Sequence, residues 1–175
     1  ADPDAALRTA CDASFERITV DGQMSTNDTL LLQATGASGK PPPAGLLEAV
    51  LLQLAIELVA DGEGSTRVCR VQVDGAATQA EAERVARAIA NSPLVKTALF
   101  GRDENWGRIA QAAGQALAGE DLEEIGGDSI DNAELAADVA EAEIGLRLDR
   151  GEHSAHVWFS DLGYEYVRIN AEYTT

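Results

Sequence analysis

The sequence predicts an α+β fold, a layered helix/sheet domain, from three observations. Helical and strand-like segments intermingle without the strict alternation of a doubly wound sheet. Several strand-like segments are spaced as hairpins are. A length of 175 residues with 45% hydrophobic content suits one domain over 1–175.

At the start of the chain, Asp4 to Ile18 sets Leu7, Ala10, Cys11, Ser14, Phe15 and Ile18 at three-four spacing, which predicts a first helix ending near "TVDG". "STNDTLLLQATG" places small polar residues ahead of an apolar run and predicts a buried strand over Leu30 to Gln33. "GASGKPPPAG" is a loop, because consecutive prolines cannot join a helix or a sheet interior. Leu46 to Ala60 reads as an amphipathic helix whose polar residues, Glu48, Gln53 and Glu57, share one face. "DGEGSTR" is a turn, and Val71 and Val73 then alternate with Arg70 and Gln72 as in a strand. Thr78 and Glu81 have capping-box spacing, so a helix is predicted from there until Pro93 stops it. "LVKTALFG" predicts a strand, and "NWGRIAQAAGQALAG" a helix weakened by glycines. Glu120 to Ile130 is acidic and poorly patterned, and Asp131 to Ala142 reads as helix. "EIGLRLDRGEHSAHVWFSD" predicts two strands about a turn at Arg150 and Gly151, and the tail "YEYVRINAEYTT" is strand-like in composition.

Thirty acids against 13 Lys and Arg give a net charge of -17, which repels nucleic acid and anionic membrane surfaces. Either a salt-rich cytoplasm or a basic partner subunit accounts for such a charge. The polar interruptions of the longest apolar run argue against a membrane span, and "ADPDAALRTA" lacks the marks of a secretory signal. Two cysteines, Cys11 and Cys69, fit reduced thiols in the cytoplasm better than a disulfide framework.

Few residues point to chemistry by themselves. His153 and His156 stand three apart on a strand, hence on opposite faces, so no metal site is expected. No phosphate loop or dinucleotide motif is present, and no cofactor is expected. Glu63, between two glycines, is either a solvated turn acid or a carboxylate offered to a cation. Lys96 reads as a buried base or a snorkelling edge residue. Asp103 or Asn105 reads as a helix cap beside Arg108, with Trp106 packed beneath. Asn170 and Thr175 have the look of ordinary terminal surface residues.

Four stretches change this picture: "RITVDGQMSTNDTLLL", "ADGEGSTR", "SPLVKTALFGRDENWGRI" and "SDLGYEYVRINAEYTT". Together they resemble the C-terminal, or beta, chain of the bifunctional glutamate N-acetyltransferase / ornithine acetyltransferase family of arginine biosynthesis. The resemblance runs from near Ala5 to Thr175 and is weak only around Glu120 to Ala142.

That resemblance implies a self-cleaving precursor whose beta chain opens on a nucleophilic threonine, activated by its own amine or a nearby group. The threonine takes acetyl from N2-acetylornithine and passes it to glutamate, while oxyanion donors come from an alpha chain. Acetyl-CoA is a further possible donor, and an alpha2beta2 or larger assembly is implied. Carried over residue by residue, Glu63, Asn170 and Thr175 match substrate-binding positions. No catalytic residue carries over: "ADPDAAL" matches only the segment after the family's nucleophile strand, and Thr26 and Thr29 lie in a different motif, so the nucleophile is expected upstream of Ala1. Arg67 stands where the family has lysine in its usual DGEGATK. Two alternatives stay open: a non-catalytic module of the same fold, and a self-processing amidohydrolase or aminopeptidase that resolves the acyl-enzyme with water.

Overall fold

The computed structural model describes residues 2–120 and 125–173. Its elements run α1 (Pro3–Asp12), β1 (Ile18–Thr19), α2 (Leu46–Ala60), β2 (Val68–Ala76), α3 (Gln79–Asn91), α4 (Pro93–Gly101), α5 (Trp106–Ala116), β3 (Ile130–Asp131), β4 (Glu141–Arg147), β5 (His153–Ser160) and α6 (Tyr164–Glu172). The strands form one mixed sheet in the order β1-β5-β2-β4-β3. β2 runs parallel to β4 and antiparallel to β5, while β1 runs parallel to β5 and β3 antiparallel to β4.

Strand alternation divides the sheet into two faces. Cys69, Val71 and Val73, Ile144 and Leu146, and Val157 and Phe159 join one buried cluster with Val85 and Ile89 of α3, Leu99 of α4 and Ile109 of α5. The intervening residues are polar or half-exposed: Arg70 pairs with Glu143 at 2.8 Å and lies 5.9 Å from the Trp158 ring. A layered α+β architecture is therefore observed, with the main core on one side of the sheet.

Capping accounts for several helix starts. The Asp2 carboxylate accepts from Asp4 N, and Pro3 occupies the first turn of α1. Thr78 Oγ1 accepts from Glu81 N at 3.1 Å, as its spacing predicts. Glu81 reaches back to Ala77 N, the residue before the cap, and pairs with Arg150 at 3.0 Å.

The structure corrects several expectations. "LVKTALFG" is helix α4: Ser92, after closing α3, caps the next helix through Val95 N, and Pro93 occupies its first turn. A short apolar run cannot reveal its own period, so Val95 and Leu99, both buried, fit a helix face as well as a strand. The tail is helix α6, in which Arg168 pairs with Glu165 and Glu172 three and four residues away. Asp131 to Ala142 is not a helix but the end of β3, a 3-10 turn at Ala133–Leu135 and the start of β4.

The cause of that last change is Arg67. Its buried guanidinium donates to the carbonyls of Glu134, Leu135, Ala137 and Val139 and to Leu99 O, at 2.8–3.1 Å. A helix over 131–142 would need several of those acceptors for itself.

Leu30 to Gln33 forms no strand, and Leu31 is 77% exposed. β4 and β5 are strands as expected, yet they do not form a hairpin. β2 lies between them, and their connection crosses its end, where Gly75 (φ +74) offers its carbonyl to Arg150 N and Gly151 N. Asn105 sits at the N-cap of α5 without a side-chain capping bond, and Trp106 is 47% exposed instead of packed beneath.

In α2, Gln53 and Glu57 are bonded neighbours, but Glu48 lies well round the helix from them at 100° per residue. The polar residues do not share one face. Among the described residues, no helix is long and apolar enough to cross a membrane.

Candidate functional site

Three segments distant in sequence converge at the ends of β1, α2 and β5. The first, Thr19 to Gly22, follows β1. Thr19 Oγ1 donates to Asn91 Oδ1 at 2.7 Å and accepts from Gly22 N, while Lys96 Nζ donates to Val20 O at 2.6 Å. Asp21 is thereby presented on a fixed turn.

The second is the "DGEG" turn after α2. Ser65 N closes it onto Gly62 O at 2.9 Å. Asp161, at the end of β5, anchors its exit by accepting from Thr66 N at 2.8 Å, Arg67 N at 3.1 Å and the Thr66 hydroxyl. Gly64 has φ +68, and a Cβ there would stand 2.6 Å from Tyr166 N. Only a residue without a side chain allows this close approach to α6.

The third segment is α6 itself, whose first turn sets Tyr164 edge-on to Phe100 of α4 at 5.6 Å. Its next turns carry Tyr166 and Asn170. Asn170 Nδ2 donates to Glu63 Oε2 at 2.6 Å and to Tyr166 O at 3.0 Å, and Tyr166 OH lies 3.1 Å from Asp21 Oδ2. Two carboxylates, a phenol and an amide thus share one edge. Burial, then the bond to Asp21, then the charges of Asp21 and Glu63 raise the Tyr166 pKa, keeping it a neutral donor.

Glu63 and Asn170 are exposed, so the described residues form an open wall at this edge. A carboxylate there suits a ligand ammonium, and an amide can bond an amino-acid end. Glu63 and Asn170, which the resemblance pairs in role, are brought into direct contact. Thr175 lies outside the described residues. Asp21 and Tyr166 were passed over by the sequence reading, and the "TVDG" turn was the available signal.

Lys96 is neither a strand-edge snorkel nor positioned on the exposed edge. It is buried on α4, where its ammonium also donates to Ser160 O and stands 5.5 Å from the Phe159 ring. Burial lowers its pKa to about 8, against the opposing influence of Asp161 and Asp21. Its role here is to fasten the ends of β1 and β5 beneath the site. Arg108 binds Leu94 O at 2.9 Å, and Asp103 lies 3.8 Å from it.

His153 is exposed and His156 half-buried. Among the described residues, no group of three or more His, Cys, Asp or Glu side chains is arranged to hold a metal ion. Cys11 and Cys69 are free, and burial pushes the Cys69 thiol far up from its ordinary pKa, which suits a packing role.

The chain as a whole is similar to known proteins in sequence and in fold. The ArgJ family model matches residues 1–175. The arginine biosynthesis bifunctional protein ArgJ of Geobacter sulfurreducens is 43% identical, covering 98% of this chain and 50% of that protein. The glutamate N-acetyltransferase of Methanosarcina mazei is 41% identical over 98% of this chain and 50% of its own length. A crystal structure of the arginine biosynthesis bifunctional protein argJ from Bacillus halodurans superposes with a TM-score of 0.83 at 35% identity, covering 97% of this chain and 92% of that one. The chain belongs to the ArgJ family. It spans about half the length of the curated relatives it matches.

Proposed function

We propose that this chain is the beta part of an enzyme that transfers acetyl from N2-acetyl-L-ornithine to L-glutamate in arginine biosynthesis. The observation that carries the reading is the 2.6 Å contact between Asn170 and Glu63, made by two residues 107 positions apart. The relatives' names, arginine biosynthesis bifunctional protein and glutamate N-acetyltransferase, support the reaction.

In this reading the nucleophile is a threonine preceding Ala1 in the longer polypeptide, exposed by autocatalytic cleavage. Its hydroxyl attacks the acetyl carbonyl, the C–N bond breaks, and the proton leaves with ornithine's α-amine. The α-amine of glutamate then attacks the threonine ester, forms the new amide and returns the proton to the hydroxyl. Glu63 receives a substrate ammonium, while Asn170 and Thr175 orient the amino-acid end. An alpha chain supplies the oxyanion donors and closes the open wall, in an alpha2beta2 or larger assembly. The reading places the enzyme in the cytoplasm, with no cofactor and with acetyl-CoA as a possible second donor.

Chain lengths support the two-part arrangement. This chain covers 92% of the Bacillus halodurans crystal chain but 50% of the Geobacter sulfurreducens protein. Following labelled acetyl in the intact protein tests the proposal: label is expected on glutamate. Label released only as acetate would favour the hydrolase, and no turnover at all would favour the non-catalytic module.

A further inference from the structure

α2 carries 12 apolar residues in its 15, distributed round the whole helix. Leu51, Ala55 and Val59 are buried, yet Leu46, Val50, Leu54 and Leu58 form an i, i+4 ridge left 46–48% exposed. A helix that is apolar all round belongs in an interior, and water on this ridge opposes the solubility its neighbours provide. The segment leading into α2 has the same character, with Leu31 77% exposed.

Three occupants compete for this ridge. A lipid surface is disfavoured by the net charge of -17, which anionic headgroups repel. A second copy brings the same -17 against itself. The remaining half of the longer polypeptide is the occupant that the relatives point to, because those that match 98% of this chain have as much sequence again beyond it.

We infer that the Leu46-Val50-Leu54-Leu58 ridge of α2, with the segment leading into it, is the surface on which the other half of the longer protein packs. The inference depends on the two-part reading above and adds to it the face that makes the contact. It also accounts for the failure of Leu30 to Gln33 to form a buried strand: among the described residues Leu31 and Leu32 stay 77% and 39% exposed.

The test mixes this chain with the remaining half, produced separately, and follows amide exchange in α2. Association is expected to slow exchange across α2 at least about tenfold. Leu54→Glu with Leu58→Glu should leave the melting of this chain alone unchanged, because both sites are half-exposed, while weakening association at least about tenfold. Association with unchanged α2 exchange and a tight double variant would overturn the surface and leave the two-part reading standing. Halves that never associate would overturn both. Concentration-dependent protection of α2 in this chain alone would assign the ridge to a second copy.

Discussion

Asn170 Nδ2 lies 2.6 Å from Glu63 Oε2, and the contact depends on Gly64, the residue beside Glu63. Gly64 lets the turn meet α6 where a Cβ would stand 2.6 Å from Tyr166 N and 2.9 Å from the Glu165 carbonyl carbon. Backbone has no rotamer with which to yield. Gly64→Ala is therefore expected to separate turn from helix, at a cost of about 2 kcal/mol from strain at positive φ and from the clash. In the intact enzyme the KM for the amino-acid substrate should rise while the rest of the fold persists. Denaturant unfolding and steady-state kinetics check this, and an unchanged KM would show that the contact does not matter to binding.

Arg67 offers a separate test, because five backbone carbonyls share one buried guanidinium. Lysine has three donors in a different shape, so at least two carbonyls lose their partner in Arg67→Lys. A loss of about 2 kcal/mol is expected, with faster amide exchange over 133–139. A variant as stable as the parent would mean that water or a shifted turn replaces the missing donors at no cost.

The buried Lys96 gives a pH dependence with a definite sign. Its folded pKa of about 8 lies below the ordinary lysine value, so between the two the unfolded chain binds more protons. The penalty of burying the ammonium is fully present below pH 8 and is relieved as pH rises. A neutral amine can still donate to Val20 O and Ser160 O. Relative to Lys96→Met, the parent should gain about 2 kcal/mol between pH 7.5 and pH 10. Urea midpoints of both proteins across that range provide the measurement, and parallel curves would refute the buried-cation assignment.

What the sequence made legible was local. The Thr78 cap and the alternation of Val71 and Val73 lie within a few residues of the groups they organise, and both match the structure. α4 was misread because Ser92 serves as an end and a start within one residue. The region 131–142 was misread because its carbonyls answer to Arg67, more than sixty positions upstream. Site residues divide in the same way. Glu63 and Asn170 were indicated by family resemblance, since an exposed turn acid and a terminal amide have no distinguishing pattern of their own. Asp21 was missed because its partner, Tyr166, is 145 positions away.

The most direct measurement is the steady-state kinetics of Glu63→Gln in the intact enzyme, with N2-acetylornithine as donor and glutamate as acceptor. Glutamine keeps the shape of the side chain and a bond to Asn170 while removing the charge offered to a substrate ammonium. The expected result is a KM raised at least about tenfold, the loss of a charge-assisted hydrogen bond, with stability unchanged. An unchanged KM and kcat would contradict substrate binding at the Glu63 edge.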